Sequence, residues 1–178
     1  MDEIEVPLEQ VQEHIHEAAH NSQQLWMGQV ALFSALVAVF AAVSALLAGH
    51  HSNEAMITQL KASDSWGYYQ AKGIKSSILV SKNQLLKELG KEVPPKDEEK
   101  VEDYKKEQDE ISERAKEFEA ESSQHLKTHV TLARSVTLFQ VAIAIAAISV
   151  LTRRRRFFMV SIGFAVVGVA FFIWALIH

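Results

Sequence analysis

The sequence contains no cysteine. Disulfide frameworks, thiolate nucleophiles, iron–sulfur clusters and cysteine zinc sites are therefore excluded. Its seven glycines are too scattered to cradle a phosphate, and neither G-x-G-x-x-G, G-x-x-x-x-G-K-[ST] nor G-x-S-x-G occurs. No nucleophile, acid–base pair and oxyanion donor can be assembled from these segments, so the reading is of a non-enzyme that needs no cofactor. Lysine and arginine are missing from residues 1–24, which instead carry six carboxylates. An acidic start of this kind is no secretory leader, which would open on basic residues.

Charge is also missing from three long stretches, and these define the architecture. Residues 25–48, 135–151 and 157–177 contain no Asp, Glu, Lys or Arg. At a rise of ~1.5 Å per residue, each has the length of a membrane-crossing helix, the second only just. A composition that is 48% hydrophobic with a net charge of −4 is thus a membrane protein averaged with a charged segment. The predicted fold class is all-α, with three transmembrane helices and a long antiparallel helical hairpin extending from spans 1 and 2. The parts are an acidic amphipathic helix over 1–24, span 1 over 25–48, a coiled-coil hairpin over 49–134 that turns near 90–96, span 2 over 135–151 and span 3 over 157–177.

Only Thr152 and the run Arg153, Arg154, Arg155 and Arg156 separate the last two spans. A short loop with four arginines is retained in the cytoplasm, whereas long loops translocate largely regardless of charge. The expected orientation puts the N-terminus and the arginine turn in the cytoplasm, and the hairpin and C-terminus in the periplasm. The arginines read as a topology determinant first and an anionic-lipid contact second. Nucleic acid is not an expected partner.

Along the first arm an apolar stripe at 3-4 spacing runs through Leu25, Leu32, Leu36, Val39, Val43 and Leu46 to Ile57, Leu60, Ile74, Ile78 and Leu85. Gly90 followed by Pro94 and Pro95 marks its end. A second stripe resumes with Val101, Tyr104, Gln108, Ile111, Ala115, Phe118, Ser122, His125 and His129. The two stripes are expected to form the hairpin seam, with Gln108, Ser122, Asp64 and Ser81 weakening it. A partly disordered loop over 91–110 is the alternative, given its charge. With Leu89 and Lys96 flanking the turn, opposed residue numbers add to about 185. That register sets Ser44 against Gln140 as an interhelical polar pair.

His16 and His20, and separately His125 and His129, stand four apart, a spacing that can hold a metal ion. The blander readings are a solvated acidic face for the first pair and packing histidines for the second, so no metal site is assigned. The 185 register keeps His50 and His51 away from His125 and His129. Trp66, Tyr68 and Tyr69 cannot share one helix face, so at least one is expected to meet solvent or another chain.

Trp66-Gly67-Tyr68-Tyr69-Gln70-Ala71-Lys72 with Ile74-Lys75 resembles the W-x-x-Y-Q-A-K-x-I-K motif of an uncharacterised bacterial membrane-protein family. The resemblance covers nearly the whole chain and implies a bacterial inner-membrane protein, but carries no catalytic residue. The expected function is a homo-oligomeric scaffold in the lipid bilayer with an unknown protein partner. A channel or transport component, and a metal or pH sensor built on the histidines, are the alternatives.

Overall fold

The computed structural model describes the backbone of residues 8–177 and the side chains of residues 25–177. The described residues form three helices: α1 over Leu8–Glu88, α2 over Pro95–Thr152 and α3 over Arg155–Ile177. All three are long and apolar enough over part of their length to cross a membrane. The backbone divides into two compact units, one of residues Ala48–Val130 and one made of the remainder of α1 and α2 together with α3.

In the three-helix unit, Phe139 of α2 is fully buried among Val37 of α1, Ala142 and Ala165. Gly168 of α3 is where that ring needs room, since a Cβ there would lie 2.8 Å from the Phe139 ring. Farther along, Trp26, Val30 and Ala146 form a second cluster, with Phe33 and Phe158 meeting edge to face at 5.3 Å. Ser161 of α3 donates to the Ala142 carbonyl at 2.7 Å, a bond between helices. The expected partner of Ser44 is not there. Ser44 is fully buried, its hydroxyl makes no hydrogen bond, and Gln140 faces outward.

The hairpin unit turns where glycine and proline place it. Gly90 adopts φ 69°, and Lys91 N–H reaches the Leu86 carbonyl at 2.9 Å while Gly90 N–H reaches Lys87 at 3.0 Å. This bond pattern closes a helix through one left-handed residue, and glycine takes that conformation without a Cβ penalty. Pro95 then starts α2, with Asp97 and Glu98 at its electropositive end. Residues 95–110 are helical, not a disordered loop.

The face that α1 buries in this unit differs from the expected one. Ile57, Leu60, Ile74, Ile78 and Leu85 are all exposed, Leu60 by 64% and Ile78 by 65%. The seam is built instead from the small residues Ala48, Ala55, Thr58, Ala62, Ser76 and Asn83. On α2 the expected stripe holds: Ile111, Ala115 and Ser122 are buried, with Phe118 half-buried between them. Ala115 and Ser122 of α2 are small as well, so little bulk lies between the helices and the backbones can approach closely.

The register differs too. Ser122 meets the Ala55 carbonyl, His129 that of Ala48 and Gln108 that of Tyr69, so opposed numbers add to 177, and longer side chains reach to either side of that line, from His51–His125 at 176 to Trp66–Glu119 at 185. The shift from 185 is about one heptad. A seven-residue pattern repeats itself under such a shift, so periodicity cannot distinguish the two registers.

The α2–α3 turn uses the same closing pattern as Gly90. Arg154 N–H bonds the Ser149 carbonyl and Arg153 N–H bonds Val150, both at 3.2 Å, with Arg153 at φ 53°. Arg155 and Arg156 belong to α3, so the turn is shorter than the arginine run. A left-handed non-glycine residue costs about 1–2 kcal/mol. Arg153→Gly should therefore raise the thermal midpoint of the purified protein by a few degrees. Arg153→Ala should leave it unchanged in the same calorimetric scan.

Candidate functional site

Three polar side chains of α2 bond to α1 backbone carbonyls at heptad intervals. The His129 Nδ1–Ala48 carbonyl distance is 2.8 Å, and because a carbonyl only accepts, Nδ1 carries the hydrogen. Ser122 Oγ donates to the Ala55 carbonyl at 2.8 Å. Gln108 Nε2 donates to the Tyr69 carbonyl at 3.3 Å. The missing rung between Ser122 and Gln108 is Ala115, which lies fully buried, as does Ala62 of α1. Gln108 and Ser122, read from sequence as flaws in the seam, are cross-links of it, whereas Asp64 and Ser81 face outward.

The motif around Trp66 sits at the distal part of this ladder. Trp66 Nε1 donates to Glu119 at 2.9 Å, and its ring meets Tyr69 edge to face at 5.5 Å. Lys72, with only 12% of its side chain exposed, pairs with Glu107. Its ammonium lies 5.2 Å from the Tyr68 ring centroid and 5.1 Å from that of Tyr104. The hydrogen bond to Glu107 raises the Lys72 pKa above its ordinary value, against the lowering effect of desolvation. An amine held as ammonium in this way is a clasp and not a nucleophile at neutral pH. Gly73 leaves the space that the Gln108 amide uses, since a Cβ there would lie 2.8 Å from Nε2.

Of the three aromatics singled out in the sequence, Trp66 and Tyr69 are thus engaged within the hairpin, and Tyr68 is the exposed one. Lys72, Tyr104 and Glu107 were not anticipated as a group. The signal available was that Lys72 falls on the small stripe, where an unpaired charge would be costly.

A second cluster lies where the rejected histidine grouping would be. His51 Nδ1 is 3.0 Å from His125 Nδ1, with ring centroids 5.3 Å apart. His50 stacks edge to face on His51 at 5.6 Å, and His125 Nε2 is 3.9 Å from Glu121. The corrected register brings these rings together. Among the described residues, no three His, Asp or Glu side chains are grouped to hold a metal ion. The His16 and His20 side chains lie outside the described residues. In sequence, residues 16–20 read His-Glu-Ala-Ala-His, the spacing with which a helix presents two zinc ligands and a glutamate base. The four arginines are exposed, and the Arg155 guanidinium lies 6.0 Å from the Trp26 ring.

Three apolar helices of crossing length, with a polar-laddered hairpin, define a multi-pass helical membrane protein. Within that class, the chain belongs to the family described as domain of unknown function DUF4337, whose model matches residues 26–178. The His-Glu-Ala-Ala-His segment precedes the matched residues. No match was found among curated proteins or among solved structures.

Ser122→Ala removes a cross-helix bond and should cost about 1 kcal/mol of stability. Ser65→Ala removes only an exposed bond to the Lys61 carbonyl of its own helix and should cost little. Chemical denaturation of both variants, followed by circular dichroism, provides the comparison.

Proposed function

We propose that the chain is a non-enzymatic scaffold of the bacterial inner membrane that assembles with copies of itself. The observation that supports this is the outward stripe of α1 in the hairpin. Ile57, Leu60, Ile74, Ile78 and Leu85 are exposed on a segment too charged to lie in lipid. Ile57, Ile78 and Leu85 fall on one heptad row and Leu60 and Ile74 on the next, and large apolar side chains on such rows fit the groove of another helix.

The flanks of the stripe favour a second copy running parallel. Lys61, Lys75 and Lys82 line one edge, and Ser63, Gln70 and Ser77 line the other. Parallel pairing sets Lys75 against Gln70 and Lys82 against Ser77 of the partner helix, with no like charges opposed. Antiparallel pairing sets lysine against lysine. Copies inserted the same way in one bilayer run parallel. Tyr68 lies on the lysine edge and adds an aromatic contact to the pairing.

Native mass spectrometry from nanodiscs should give a multiple of 19.9 kDa for the unaltered protein. Leu60→Glu with Ile78→Glu should yield the monomer without loss of helicity. A strictly monomeric unaltered protein would remove the scaffold reading.

The orientation belongs to the same proposal, with the arginine turn cytoplasmic and the hairpin periplasmic. Because the chain has no cysteine, Glu92→Cys in the turn between α1 and α2 provides a single exposed thiol without background. A membrane-impermeant maleimide should label it in cells whose inner membrane is intact. Labelling only after lysis would invert the topology.

A further inference from the structure

The His51–His125 contact has no part in the scaffold reading, and its chemistry depends on protons. Two Nδ1 atoms 3.0 Å apart hold one hydrogen between them. One ring donates it and the other accepts with its lone pair. If both rings are protonated, two N–H groups and two positive charges face each other, and the contact becomes repulsive. From this geometry we infer that His51 and His125 form an acid-sensitive latch between α1 and α2, closed when at least one ring is neutral and released when both are charged.

The surroundings of the latch decide which way it responds. On α1, His50 lies against His51 and adds positive charge in acid, while Glu54 one turn away opposes it. On α2, Glu121 lies 3.9 Å from His125 Nε2 and can accommodate charge on that ring. His129 acts on His51 in the same sense as His50. Its own bond to the Ala48 carbonyl needs only a hydrogen on Nδ1, which both the neutral donor tautomer and the cation provide. The His129 rung therefore survives acid, and the response is confined to the His51–His125 contact.

The His51 pKa is held below its ordinary value, first by burial and then by the positive charges of His125 and His50. A lowered histidine pKa means that the separated arms bind the proton more readily than the closed ones. The contribution of the contact is thus complete above the ordinary histidine pKa of about 6.5 and is lost as the pH falls below it. One proton linked to opening changes the closing equilibrium by up to about tenfold per pH unit.

The test is amide hydrogen exchange of the full-length protein in nanodiscs at pH 7.5 and 5.5, with rates corrected for intrinsic exchange. Protection of residues 49–55 and 121–128 should fall severalfold, up to about tenfold, at the lower pH. The hairpin tip over 80–100 should not change. His51→Gln and His125→Gln should abolish the pH response, and His129→Gln should retain it. Unchanged protection in the unaltered protein, or an equal pH response in the His51 and His125 variants, overturns the latch. Should a variant fail to fold, ¹⁵N-histidine spectra of the unaltered protein decide the question. Two coupled steps for His51 and His125 support the latch, and independent titration of the two rings refutes it.

Discussion

The hairpin depends on how closely two helix backbones can approach. Ser122 can reach the Ala55 carbonyl, and His129 that of Ala48, only because α1 presents small residues along that face. Any large side chain at Ala55 or Ala62 would hold the helices apart and break the rungs beside it. Carbonyls already bonded within α1 accept a second hydrogen on their free lone pair, so the ladder adds bonds without unwinding the helix. A close-packed seam of small residues and a polar ladder are therefore one device, because each requires the other.

That device determines what remains outside. A helix that buries its small face turns its large apolar face outward, so Leu60 and Ile78 face away from α2. The surface for a partner is in this sense a by-product of the internal seam. The family motif works on the inner side. Lys72 is held by Glu107 and two tyrosine rings, which satisfies a charge that close approach would otherwise strand. Gly73 beside it gives Gln108 its path to the Tyr69 carbonyl.

The two turns show how the same backbone geometry serves different ends. Gly90 closes α1 in the left-handed conformation at no steric cost. Arg153 closes α2 in the same conformation and bears the strain, since that turn carries a run of positive charge. Membrane topology and local stability make opposing demands on that residue, and the sequence favours charge.

Helix number, the stop at Gly90 and the α2 seam were legible in the sequence, because each rests on local chemistry. Missing charge marks a helix that can cross a membrane, glycine and proline end a helix, and α2 carries only one apolar stripe in the hairpin. On α1 the sequence offers two stripes, one of large residues and one of small. Hydrophobicity favours the first, while close packing selects the second. Register was equally undetermined, since a heptad pattern looks the same after sliding by seven. Only the tertiary structure, through the pairs Lys82–Asp97, Lys72–Glu107 and Ser122–Ala55, selected one alignment. That alignment placed His51 against His125, because which side chains meet across two helices depends on packing that neither helix encodes alone.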